Sequence, residues 1–152
     1  MQIDGKDVNV LRLLQLDGKL SNAKIAEITN QSEAPSWRRI KKLEENGVIK
    51  RYEARLDRRK LGFGLLAFVQ LEVSIHTEEA TKIFEEAILA RPEVLQFYNV
   101  TGEADFLLCV VAKDIDAYGE FIDKWLRKIT FIKNIRSSIV LREIRCTLSL
   151  PI

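Results

Sequence analysis

The chain has 152 residues, 47% hydrophobic and 30% charged, a balance that fits a soluble globular protein of one ordinary domain or two small ones. No run of about 18 apolar residues is present, so no membrane span is expected, and the N-terminal MQIDGKDVNV does not read as a secretory signal. The net charge of +2 divides unevenly: the first 60 residues hold 14 Lys and Arg against 9 Asp and Glu, the remainder 10 against 13. A basic module facing nucleic acid, followed by an acidic module with another task, would account for that asymmetry.

Residues 4–17 read as a helix with Val10, Leu11, Leu13 and Leu14 as its apolar stripe, ended by Asp17-Gly18. Ser21 or Asn22 can cap a short second helix that buries Ile25, Ala26 and Ile28. It stops at Thr29-Asn30, and Asn tolerates the left-handed conformation of a sharp helix exit. Ser32 can cap a third helix running to about Asn46, with Pro35 in its first turn and Gly47 after its end. A short helix, a tight turn and a longer basic helix make the helix-turn-helix pattern.

On a helical wheel Trp37, Ile40 and Leu43 share one side of the third helix, so Trp37 is expected in the core. Pro35, Arg38 and Lys42 lie opposite, flanked by Ala34 and Lys41. The residues expected to meet DNA are Ser32, Ala34, Pro35, Ser36, Arg38, Arg39, Lys41 and Lys42. Small residues at the helix start permit close approach to the groove. Arg38 and Lys42 are aimed best, and Ser32 and Ser36 are phosphate-contact candidates, Ser32 with the alternative of a plain cap.

Val48–Leu56 reads as a strand, followed by the polar stretch Asp57–Lys60 and by Gly62 and Gly64, the expected hinge. Domains are therefore expected at residues 1–62 and 63–152. Alternation from Ala67 to Ile75 predicts a strand. Thr77 can cap a helix bearing Ala80, Ile83, Phe84, Ala87 and Ile88, stopped by Pro92. Val94–Thr101 and Asp105–Lys113 read as strands about a Gly102-Glu103-Ala104 turn. Asp114 can cap a second helix carrying Tyr118, Phe121, Ile122, Trp125 and Ile129, and a last long strand is expected from about Ile135 to Leu148. The order β-α-β, β-α-β is ferredoxin-like, which makes the whole an α+β chain. Phe106–Val111 is apolar on both sides, so the sheet face without helices is expected to pack on a second subunit.

The turn Thr101-Gly102-Glu103-Ala104-Asp105 reads either as an ordinary hairpin or as an effector site. Backbone N–H groups near Gly102 can approach a carboxylate, and Asp105 can accept bonds from an ammonium, the two ends of an α-amino acid. Effector-binding residues are expected among Thr101, Gly102, Glu103, Asp105, Ser137 and Ser138. His76, the one histidine, lacks any metal-ligand spacing and reads as a surface residue. Cys109 and Cys146 lack a CxxC partner and are expected to be reduced and buried, with the cytoplasm as the default compartment. No phosphate loop, nucleophile elbow or dinucleotide fingerprint is present, so neither cofactor, metal nor catalytic residue is expected.

The chain resembles the leucine-responsive/asparagine-regulator (Lrp/AsnC, feast/famine) family of transcription factors over nearly its whole length. The likeness rests on Ile3-Asp4, Asp7, Asp17-Gly18-Lys19, Ser21-Asn22, Ile25-Ala26, Trp37-Arg38-Arg39-Ile40, Leu43-Glu44 and Gly47-Val48-Ile49. It continues at Gly62, at Val100-Thr101-Gly102-Glu103-Ala104-Asp105-Phe106-Leu107-Leu108 and at Tyr118. Asn30 and Gln31 depart from the usual glycine and hydrophobic residue of the turn. The resemblance implies a second domain of the RAM or ACT-like kind, a dimer built through it, and further assembly into tetramers or octamers. It also implies binding to double-stranded DNA at multiple dimer sites and an amino acid held between subunits at Thr101–Asp105. Two other functions share this plan: an architectural DNA-packaging protein without effector, and a haem-precursor decarboxylase. A single His76 and an intact basic third helix oppose the decarboxylase.

Overall fold

The computed structural model describes residues 2–74 and 77–152 and divides the chain into two compact units. The first joins the chain up to Arg55 with Arg145–Ile152; the second is Leu56–Ile144.

Three helices make the first unit: α1 (Gly5–Leu16), α2 (Asn22–Ile28) and α3 (Glu33–Glu45). Asp4 caps α1 by accepting from the Asp7 N–H at 2.7 Å, while its own N–H donates to Asp7 Oδ2 at 2.9 Å. This reciprocal box satisfies two helix-start donors. Ser21 Oγ caps α2 by accepting from the Lys24 N–H. Ser32 occupies the cap position of α3, but its side chain makes no capping bond.

Both α2 and α3 end in the same paired-bond motif. Asn30 N–H donates to Glu27 O and Gln31 N–H to Ala26 O; Gly47 N–H donates to Glu44 O and Val48 N–H to Leu43 O. The motif needs a left-handed residue, supplied by Asn30 at φ 51° and Gly47 at φ 68°. Val10, Ile25 and Leu43, one from each helix, form the centre of this core, closed by Leu13, Leu14, Ile40 and Ile49.

The expected strand Val48–Leu56 does not form: no ladder runs through these residues, and Tyr52 and Leu56 are exposed. Its alternation suits an extended chain, but a strand requires a neighbour to hydrogen-bond. Cys146, expected to be buried, is exposed in the returning tail. Arg12 Nε donates to Ile152 O at 2.5 Å, and Gln15 exchanges two bonds with the Leu150 backbone. Arg55 also donates to Cys146 O.

The second unit contains β1 (Leu65–Val73), α4 (Glu78–Leu89), β2 (Val94–Asn99), β3 (Phe106–Ala112), α5 (Ile115–Glu120) and β4 (Ile132–Ile139). A π turn, Phe121–Trp125, and a 3-10 turn, Leu126–Lys128, prolong α5. The sheet order is β2-β3-β1-β4 with every neighbouring pair antiparallel, as the ferredoxin-like reading requires. Ile75, expected in the first strand, and His76 lie outside the described residues.

Ala67, Val69 and Leu71 of β1 and Phe106, Leu108 and Val110 of β3 face Phe84, Ile88, Tyr118, Phe121 and Leu126 from the helices. Phe84, Phe97 and Phe106 close one end, with ring centroids 5.0–6.0 Å apart. On the other face Leu66, Cys109 and Val111 form a smaller buried cluster with Val140 beside it. Phe68 and Tyr98 lie exposed on that face.

Two boundaries differ most from expectation. The last strand stops at Ile139 instead of Leu148, because β1, its ladder partner, begins at Leu65 and the pairing runs out. The units part after Arg55 instead of after Gly62. Arg58 donates to Phe63 O at 2.8 Å, to Gly64 O at 3.1 Å and to Glu143 at 2.9 Å, which holds residues 57–64 within the second unit.

Candidate nucleic-acid interface and effector site

The turn Thr29–Ser32 joins α2 to α3 in helix-turn-helix fashion. Along α3, Ala34, Pro35, Arg38 and Lys42 form an exposed stripe opposite the buried Leu43. Ser32 and Lys41 are exposed beside it, Lys41 with its ammonium 5.0 Å above the Trp37 ring and 3.8 Å from Glu45. A positive stripe of this width on a helix that follows a tight turn can sit against phosphates and base edges in a major groove.

Three expectations on α3 are corrected. Ser36 is fully buried, so it cannot contact DNA; its small side chain lets α3 pack closely against the helices beneath. Trp37, expected in the core, is 52% exposed. The buried side is centred between Ser36 and Leu43, and the bulky Trp37 lies to one side of it. Arg39 is turned away from the stripe: its guanidinium lies on Asp4 at 2.9 Å and pairs with Asp7.

Asp7 is 3% exposed, a buried carboxylate on α1. The Asp7 backbone N–H, and next the Arg39 guanidinium, hold the Asp4 carboxyl below the usual carboxylate range. Bonding to Asp7 raises the Arg39 pKa further against the opposing effect of burial. Gln2, Asp4, Asp7, Pro35, Arg38, Arg39 and Lys42 line one cleft of about 300 Å³ beside the exposed stripe. Near the other end of α3 the Tyr52 hydroxyl donates to Glu44 at 2.9 Å, and burial followed by that bond pushes it up to about 12.

In the second unit, the turn between β2 and β3 is tied down by Asp105. Its N–H donates to Leu71 O at 2.9 Å, its carbonyl accepts from Val100 N–H and Asn99 Nδ2, and its Oδ2 accepts from Val73 N–H at 2.8 Å. Thr101, Gly102 and Glu103 are exposed at the tip, and Gly102 has φ 119°, a conformation that strains any side chain. Glu103 pairs with Arg136 at 2.8 Å. Gln70, Val100, Thr101, Glu103, Ala104 and Leu107 line a cleft of about 360 Å³.

The two serines do not act together. Ser138 pairs with Phe68, on the sheet face without helices. Ser137 lies on the helix side, where its Oγ accepts from the Tyr118 hydroxyl at 2.6 Å. The period of two along a strand sends neighbours to opposite faces, which removes Ser137 from the turn's surroundings. Burial raises the Tyr118 pKa, with the Ser137 bond opposing. Among the described residues, no group of three His, Cys, Asp or Glu is placed to hold a metal ion. No helix among them is long and apolar enough to cross a membrane.

Residues 3–50 match the winged helix-turn-helix DNA-binding family, and residues 66–150 match the Lrp/AsnC ligand binding domain. The chain belongs to the Lrp/AsnC family. It is 36% identical to the DNA-binding transcriptional activator DecR of Escherichia coli K12, over 99% of both chains. The Bkd operon transcriptional regulator of Pseudomonas aeruginosa is 35% identical over 94% of each. Among solved structures, a transcriptional regulator from Neisseria meningitidis in complex with L-methionine superposes with a TM-score of 0.94. It shares 33% identity, with 99% of this chain and 97% of that one covered. An AsnC family regulator from Agrobacterium tumefaciens gives 0.92 at 38% identity, covering 97% and 96%.

This Lrp/AsnC chain is therefore a DNA-binding transcription regulator with a ligand-binding domain, and not an enzyme. Within it, sequence reasoning missed the Asp4–Asp7–Arg39 cluster. The signal was present in part: Asp4-x-x-Asp7 before an apolar stripe is a capping-box spacing. The partner on α3 lies 32 residues further on and no local pattern announces it.

Proposed function

We propose that this regulator reads DNA with α3 and changes its assembly and DNA binding when an amino acid binds at the β2–β3 turn. The helix-turn-helix unit supplies the DNA-binding function and the βαββαβ unit effector binding and oligomerisation, in the cytoplasm. Ala34, Pro35, Arg38 and Lys42 are the groove-facing residues, with Ser32 and Lys41 at the margins. Thr101, Gly102, Glu103 and Asp105 hold the effector, with Ser138 further along the same sheet. The carboxylate's second oxygen on Asp105 takes the ligand's ammonium, and the backbone about Gly102 takes its carboxylate.

The observation that carries the effector reading is the exposed turn rigidly held by Asp105 beside a cleft lined by Thr101 and Glu103. The L-methionine in the complex of the Neisseria meningitidis regulator supports an amino acid of that class. A second copy of the chain covers the sheet face that carries Phe68 and Tyr98. Those exposed rings beside the buried Leu66, Cys109 and Val111 support a dimer. The test is a thermal-shift screen of the twenty amino acids, L-methionine first, followed by DNA-binding titrations with and without the hit. An amino acid that raises the melting temperature and shifts DNA affinity is the expected result. A regulator that binds DNA and ignores all twenty would be architectural.

A further inference from the structure

We propose that Asp7 and Arg39 form a positioning pair that fixes how α3 is presented to DNA, with Asp4 as a second acceptor, and that Arg39 itself does not touch DNA. The inference rests on α3 as the DNA-reading helix and adds to it a control from outside the reading face.

Four observations carry it. First, Asp7 is almost fully buried and both of its oxygens are engaged, Oδ2 by the Asp4 N–H and Oδ1 by Arg39. A carboxylate so placed needs a cation, and Arg39 supplies it. Second, the Arg39 side chain is only 22% exposed and its Nη1 reaches Asp4 Oδ1 and Oδ2 at 2.9 Å each, as well as Asp7. Its Nη1 is committed to the two carboxylates, which holds the guanidinium against the start of α1 and leaves it little exposed surface to offer a phosphate. Third, the remaining hold of α1 on α3 is apolar, through Val10 and Leu43, and apolar contact is not directional. The ion pair is directional, so it adds to the shape of the buried side a fixed point that limits the rotation of α3 about its axis. Successive residues lie about 100° apart on a helix, so fixing Arg39 fixes Arg38 and Lys42. Fourth, Asp4 and Asp7 share a cleft with Arg38 and Lys42. As free surface charges beside a DNA face, they would repel phosphates. The capping box accounts for the two carboxylates at the start of α1, and a positioning role explains why both also reach Arg39.

These roles give opposite signs for one substitution. Asp4→Asn removes a negative charge near DNA, which by simple electrostatics tightens binding. If Asp4 helps to hold Arg39, the same substitution weakens it. Asn caps a helix as well as Asp, so the fold is not at stake. The assay uses the full chain and a duplex selected by the wild-type protein from a random-sequence pool, with affinity measured over a series of salt concentrations. Asp4→Asn is expected to weaken binding roughly two- to fivefold, with an unchanged salt slope. Arg39→Gln is expected to weaken it more, again with an unchanged slope, because no phosphate contact is lost. Arg38→Ala is the control, and lowers the slope by about 0.9 if it meets a phosphate. Equal or tighter binding by Asp4→Asn overturns the proposal, as does a slope about 0.9 lower in Arg39→Gln. Should Arg39→Gln fail to fold, Asp4→Asn decides alone. An Arg38→Ala variant with wild-type affinity would instead remove the assignment of the α3 face, a separate failure.

Discussion

Asp105 does two things in this reading, and two substitutions separate them. Its Oδ2 accepts the Val73 N–H at 2.8 Å, a bond that holds the end of β1 to the start of β3. Its charge is assigned to the effector's ammonium. Asp105→Asn keeps a carbonyl oxygen for Val73 and loses the charge; Asp105→Ala loses both. A charge-assisted hydrogen bond contributes about 1.5–3 kcal/mol, so either substitution weakens effector binding roughly 10- to 150-fold. The effect on the fold differs. The site is exposed, so water replaces the lost acceptor, and Asp105→Ala costs about 1 kcal/mol, roughly 4–8 °C in melting for a domain of this size. Asp105→Asn is expected to melt within about 2 °C of wild type. Calorimetric titration with the amino acid found in the screen, paired with melting curves, reads both quantities. Wild-type effector affinity in Asp105→Asn would take the carboxylate out of the binding site. An equal drop in melting temperature for the two variants would mean that charge, not the acceptor, holds the turn.

Arg38→Ala, on the exposed stripe, is expected to weaken binding to the selected duplex by about 1–3 kcal/mol without changing the melting temperature. Phe84→Ala empties the centre of the aromatic cluster and should cost about 3–5 kcal/mol in denaturant unfolding, with a loss under 2 kcal/mol counting against Phe84 as a core anchor. Phe68→Glu places a charge on the sheet face without helices and should convert dimer to monomer in sedimentation at micromolar concentration. Tyr52 gives a pH signature: its folded pKa, about 12, lies above the ordinary value of 10.0. Its contribution is therefore present below pH 10 and lost between about 10 and 12, and Tyr52→Phe should flatten stability over that window. The opposite sign applies to Asp4, lowered in the fold: its contribution is present above its ordinary value of 3.8 and lost in acid below it, which melting curves of Asp4→Asn would lack.

What could be read in advance was local. Ser21, Thr77 and Asp114 all occupy helix starts and accept backbone N–H bonds there, because capping is decided within three residues. Asn30 announces the left-handed exit from α2 for the same reason. The order of strands and helices in the second unit followed from the switch between periods of two and of about 3.6. Features that depend on distant partners were not legible. Whether Val48–Leu56 or Val140–Leu148 forms a ladder depends on a neighbouring strand, not on their own alternation. The π turn at Phe121–Trp125 interrupts a helix whose apolar spacing reads as continuous. On α3 the buried side is set by what lies beneath: Ser36 fits there and Trp37 does not, a choice of shape that hydrophobicity ranks the wrong way round. Of the effector set, Ser137 was lost for want of a known register, since one position along a strand exchanges its faces.

The returning tail, Arg145–Ile152, is a matter of effective concentration. It is held by a few hydrogen bonds from Arg12, Gln15 and Arg55, on residues that are largely exposed, with Leu148 and Leu150 open to solvent. Bonds of that kind contribute about 1 kcal/mol each, too little to recruit a free peptide of the same sequence from dilute solution. Joined to residue 144, the tail instead searches a small volume, where its local concentration reaches roughly the millimolar range. Weak bonds then suffice. Cleaving the chain once between Ile144 and Arg145 would change no contact, yet would release the tail by dilution alone.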